Sequence, residues 1–92
     1  MSKTVSKEYA FWFCNNKGWV GQLAHNLEEF ANQVKIVPLE SLEFHLRDGK
    51  NDFEAWLNNI MQEKRLAKKA TKIKKESLRG EELRKALVNL FE

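Results

Sequence analysis

His45, Asn51 and Asp52 lie close together in the chain. An imidazole beside a carboxylate is the smallest set of groups that can move a proton to or from a substrate. The same residues also have a structural use. Asn51 and Asp52 precede Phe53-Glu54, where a helix needs its first amides capped, and His45 falls in the last turn of the preceding helix, where it can bond free carbonyls and favour the dipole. The structural reading is the one we favour. His25 lies on a different predicted helix and brings no second imidazole. Cys14 would be a nucleophile with His25 or His45 as its base, yet it sits in the most aromatic stretch of the chain, where a buried thiol is inert packing. The sequence holds no phosphate-binding glycine loop, no metal-ligand spacing and no Gly-x-Ser-x-Gly elbow. The expectation is a non-catalytic protein with neither cofactor nor metal.

A second set of residues offers a different chemistry. Placed at helical pitch, Lys64, Arg65, Lys68, Lys69, Lys72, Lys75 and Arg79 share an arc of about 140°, while Leu66, Ala67, Ala70 and Ile73 occupy the opposite side. Like charges four apart, such as Lys64 and Lys68 or Lys68 and Lys72, repel, and a face selected only for solubility would interleave glutamates. The stripe therefore suits an anionic partner, foremost the phosphates of RNA or DNA. Five lysines against two arginines favour backbone contact over base reading, because the ammonium is a point charge and the guanidinium a planar fork. The competing readings are a plain solvated face and a protein-interaction or self-association module, in which an acidic protein surface or the chain's own acidic residues are the partner. The segment around Asp48-Gly49-Lys50 has the length of a helix-turn-helix, but its second helix opens Asp52-Phe53-Glu54, with carboxylates where phosphate should sit.

These groups must be positioned by a short chain. Its 92 residues suffice for one core, and 42% hydrophobic residues with three tryptophans supply it. We expect an α+β domain, mostly α, in which a short N-terminal aromatic β-hairpin packs on a bundle of four to five short helices. Residues 1–7 are expected to be disordered. The run Tyr9 to Cys14, the turn signal Asn15-Asn16-Lys17-Gly18 and Trp19-Val20 give a hairpin over 8–20. Residues 21–61 form the helical core: one helix over about 21–34, one over about 38–47 opened by Pro38 and stopped near Gly49, and one over about 51–61 capped by Asn51. The basic helix covers 63–79, Gly80 breaks it, and a last helix covers 81–91. Trp56, Phe53, Phe44, Leu57, Leu27 and Phe30 are the expected core.

The net charge of +3 hides a segregation: residues 1–25 carry +2, 26–63 carry −5, 64–79 carry +7 and 80–92 carry −1. A local field, not the total, decides which polyion approaches. The single cysteine, Cys14, excludes an internal disulfide and suits a reducing, cytoplasmic setting, and no apolar run is long enough to cross a bilayer.

The run Leu42-Glu43-Phe44-His45-Leu46, followed by Asn51-Asp52-Phe53 and Trp56-Leu57, resembles a small, largely archaeal family of uncharacterised domains marked by an apolar-x-x-His element and Asn-Asp-Phe-x-x-Trp. Phe11-Trp12-Phe13 and Leu66-Ala67 also match that pattern, so the resemblance covers most of residues 9–73. It implies a fold and no particular reaction. After Met61 the chain departs from it, and the basic stretch is its own.

Overall fold

Alternation along Phe11-Trp12-Phe13 decides how the N-terminal hairpin is used: successive side chains of a strand point to opposite faces. In the computed structural model, which describes residues 3–91, Phe11 and Phe13 are buried while Trp12 faces outward. Strand β1 (Phe11–Asn15) pairs antiparallel with β2 (Gly18–Ala24), setting Phe11 opposite Ala24 and Trp12 opposite Leu23. The register shifts between Phe13 and Cys14, so that Cys14 pairs with Trp19. Gly21 adopts φ 96°, a value open to glycine, and lets β2 take up the extra residues of this bulge.

Five α-helices follow among the described residues: α1 (Leu27–Val34), α2 (Leu39–Phe44), α3 (Asp52–Ala55), α4 (Lys64–Lys75) and α5 (Gly80–Asn89). The architecture is therefore α+β and mostly α, as the sequence implies. The hairpin packs on α1 and α2, α4 packs on α3, and α5 closes against α1, α2 and α4. A wide π-type segment, Trp56–Ile60, continues α3, with the Met61 amide reaching back to the Trp56 carbonyl at 3.0 Å. Phe13, Phe30, Phe53, Leu42, Leu57, Leu83 and Leu87 are fully buried, and Trp56 nearly so. Four of the six expected core residues, Trp56, Phe53, Leu57 and Phe30, are at the centre; Leu27 and Phe44 are only half-buried.

Several boundaries differ from the sequence expectation. The tail is not free from residue 3 on: the Val5 amide donates to the His25 carbonyl (2.8 Å) and Asn26 Nδ2 donates to Thr4 Oγ1 (3.2 Å), tying 4–5 to the end of β2. Met1 and Ser2 lie outside the described residues. The second strand runs to Ala24 and the first helix starts at Leu27, because Leu23 belongs to the Trp12 strand pair and Asn26, not an earlier residue, caps the helix by accepting the Glu29 amide (2.8 Å). The second helix ends at Phe44 and has Pro38 at its cap. Lastly, α4 stops at Lys75: Ser77 takes φ 54° and the Glu76 and Ser77 amides close the helix end, so Arg79 is carried off the basic face. The last helix begins at Gly80 and ends at Asn89. No helix among the described residues is long and apolar enough to cross a membrane.

Candidate functional site

The imidazole of His45 is 4% exposed and lies among the rings of Phe11, Phe13, Phe44 and Phe53, with the Phe11 centroid at 4.7 Å. Its two nitrogens have defined partners. The backbone amide of Cys14 donates to Nε2 at 3.0 Å, and Nδ1 lies 2.8 Å from Asp52 Oδ2. An N–H pointing at Nε2 requires a lone pair there, which assigns the ring proton to Nδ1 and makes Asp52 its acceptor. One neutral ring thus joins β1, the end of α2 and the start of α3. The expected carbonyl contacts are replaced by this pair. The lone pair a general base would use is already committed to Cys14, and the Arg47 guanidinium also contacts Asp52 Oδ2 at 3.2 Å.

Burial pushes the His45 pKa below its ordinary 6.5, and the opposing hydrogen bond and charge of Asp52 do not reverse this. A proton on Nε2 would also face the Cys14 amide, donor against donor. The Cys14 thiol is raised above 9.0 by burial and then by the nearby Asp52 carboxylate, away from the thiolate that a nucleophile needs. Asn51 caps α3 by accepting the Glu54 amide (3.0 Å), and its Nδ2 donates to the Ala70 carbonyl of α4 (3.1 Å). Phe53 is buried, and Trp56 Nε1 donates to the Tyr9 carbonyl at 2.8 Å. The whole element from His45 to Trp56 therefore fastens the hairpin to the helices. His25 is elsewhere, bonded to Glu29 at 2.9 Å.

A pH dependence follows from His45. Its folded pKa is depressed, so between that value and about 6.5 the unfolded chain binds more protons; stability is complete above 6.5 and falls as pH drops below it. Glu29, held below 4.5 by the His25 amide and ring, adds a further loss only at more acid pH. Thermal midpoints should therefore decline from pH 7.5 towards pH 5.5, and His45→Gln should lower the midpoint at pH 7.5 while flattening that decline. An unchanged slope in the variant would reassign the titrating group.

The basic residues separate into two groups. Lys64, Arg65, Lys68, Lys72 and Lys75 are exposed on α4 and make no hydrogen bond or ion pair among the described residues. Lys69 is half-buried and donates to the Leu90 carbonyl at 3.4 Å, and Lys74 donates to the Leu46 and Arg47 carbonyls at 2.7 and 3.0 Å, holding the end of α2. Arg79 is exposed beyond the helix and lines a cleft of about 440 Å³ with Arg47, Lys74 and Glu43. The acidic half is spent differently: Glu29, Glu40, Glu43 and Asp52 each accept a hydrogen bond within the fold, Glu43 from the Gly80 amide at the start of α5. Internal bonding thus occupies half of the eight carboxylates in 26–63 and little of the α4 cation face.

Two surface features were not read from the sequence. Trp12 and Trp19 form an outward pair with ring centroids 4.9 Å apart, Trp19 being 51% exposed. Beside Trp12 runs a groove of about 370 Å³ bordered by Asp52, Ala55, Trp56 and Asn59. The alternation of β1 signals Trp12's outward direction, but the groove arises only when α3 docks. No group of three or more His, Cys, Asp or Glu among the described residues is arranged to hold a metal ion. A family model described as a family of unknown function (DUF5752) matches residues 1–92. No curated protein and no solved structure matches the chain.

Proposed function

We propose that this chain, which belongs to the family of unknown function DUF5752, is a non-catalytic binding protein that associates with RNA or DNA through backbone phosphates along α4. The observation that carries this reading is the exposed face of Lys64, Arg65, Lys68, Lys72 and Lys75, five cations on one helix that the fold leaves without acidic partners among the described residues. That face has a stability cost. Lys64 and Arg65 stand in the first turn, where the helix dipole disfavours cations, and the i,i+4 pairs Lys64–Lys68 and Lys68–Lys72 repel. A polyanion reverses both penalties. Lys69 and Arg79 contribute less than the sequence suggested, the first because it reaches the Leu90 carbonyl and the second because it has left the helix.

The His45 and Asn51-Asp52-Phe53-x-x-Trp56 signature, with its largely archaeal resemblance, belongs in this reading to the scaffold. A cytoplasmic setting fits the one free thiol, Cys14. The alternative, a protein-interaction module, would place an acidic surface or a second copy against the same cations. Electrophoretic mobility shift with generic RNA and duplex DNA separates the cases. Both should shift at low salt and lose affinity steeply at moderate salt, by about tenfold or more per doubling with several phosphate contacts. An absence of any shift at micromolar protein and low salt removes the nucleic-acid reading and leaves the protein partner.

A further inference from the structure

The Trp12 ring pairs with the exposed Trp19 ring and also lines the groove of about 370 Å³, a volume within the range of small-ligand sites. Trp56 and Ile60 give the groove apolar walls, Ala55 and Asn59 border it, and Asp52 brings a carboxylate to it. Both indole N–H groups are already used, Trp12 Nε1 on the Lys7 carbonyl at 3.1 Å and Trp56 Nε1 on the Tyr9 carbonyl, so these rings offer a ligand only apolar and π surface. Asp52 Oδ2 accepts from His45 and Arg47, whereas Oδ1 accepts no hydrogen bond among the described residues. Lys7 Nζ lies over the Trp12 ring, 5.6 Å from its centroid, and puts a cation beside this indole.

We infer that this groove takes one unpaired, amino-bearing nucleobase of a single strand, stacked on Trp12 with its amino group on Asp52 and its phosphate near Lys7. The inference rests on the nucleic-acid reading above and goes beyond it, because phosphate contacts along α4 serve duplex and single strand alike. Three groups choose the occupant. A flat aromatic wall favours a flat π ligand, the open carboxylate oxygen requires an N–H donor, and the lysine beside Trp12 complements a phosphate. An alkyl chain would leave Asp52 unsatisfied, and a base paired and stacked within a duplex presents no free face to Trp12. Adenine, cytosine and guanine each carry an amino group. Thymine and uracil flank their one N–H with two carbonyl oxygens, which a carboxylate repels.

The test compares oligo(dC), oligo(dT) of equal length and duplex DNA by fluorescence anisotropy with the full chain. The parent should bind oligo(dC) about tenfold more tightly than oligo(dT), the weight of one hydrogen bond to a charged group. Ala55→Leu fills the groove from an exposed position at the end of α3 with a good helix former, so folding should survive, as circular dichroism will verify. It should lower oligo(dC) affinity about tenfold, abolish the preference over oligo(dT), and leave duplex affinity unchanged. Trp12→Leu, which keeps an apolar partner opposite Leu23, should do the same. If either folded variant binds oligo(dC) as the parent does, or weakens duplex equally, the groove holds no base and the α4 reading stands alone. If the parent binds no strand at low salt, both readings fail.

Discussion

Trp56→Ala should leave little or no folded protein at ambient temperature. Truncating a buried large aromatic costs about 3–5 kcal/mol, and domains of this size rarely exceed the lower half of the usual 5–15 kcal/mol. Here the side chain has three attachments. It stacks on Phe30 of α1 at 5.3 Å, meets Phe11 of β1 edge-on at 5.7 Å, and donates to the Tyr9 carbonyl ahead of the hairpin. Alanine would open a cavity at the point where hairpin, α1 and the π segment converge. Trp56→Phe keeps most of the ring contact but strips the Tyr9 carbonyl of its donor, so it should cost about 1–2 kcal/mol and remain folded. Urea titration followed by circular dichroism gives the measurement. A denaturation midpoint for Trp56→Ala equal to the parent's would show that this indole is not part of the core.

Trp56 also shows what one sequence can reveal. Its helical spacing with Phe53 and Leu57 is local information, and the three are buried together. Asn51 is legible for the same reason: a cap and the amide it serves, that of Glu54, are three residues apart. Asn26 and Glu29 carry the identical signal. The helical spacing of Leu23 with Leu27 points the other way, yet in the fold Leu23 is a strand residue and Leu27 opens the helix. Gly80 is the natural stop that the sequence offers, but Ser77 adopts the left-handed conformation first and takes Arg79 off the helix. His45 marks the limit of local reading. Its acceptor role is set by the Cys14 amide, 31 residues away, and no spacing rule predicts a contact made only when the hairpin closes on α2. The groove beside Trp12 is non-local in the same way, since its walls come from β1 and from the α3 region.

Replacing Lys68, Lys72 and Lys75 together by glutamine should lower affinity for RNA and duplex DNA on the order of a hundredfold at 0.1 M salt, and should do so equally for every sequence. Each lost phosphate contact removes about 0.9 from the slope of log affinity against log salt on duplex, so three lower it by about 2–3. The fold should not change. All three side chains are exposed and without partners among the described residues, and relief of the Lys68–Lys72 repulsion is set against some loss of favourable dipole contact at the helix end. Lys64→Gln with Arg65→Gln sharpens the argument, because those cations oppose the dipole in the first turn and Lys64 repels Lys68. Their removal should raise the melting midpoint while lowering affinity. A residue placed merely to keep a surface solvated would not trade stability against binding in this way. If the triple variant binds as tightly as the parent, or begins to discriminate among duplex sequences, α4 is not where the nucleic acid lies.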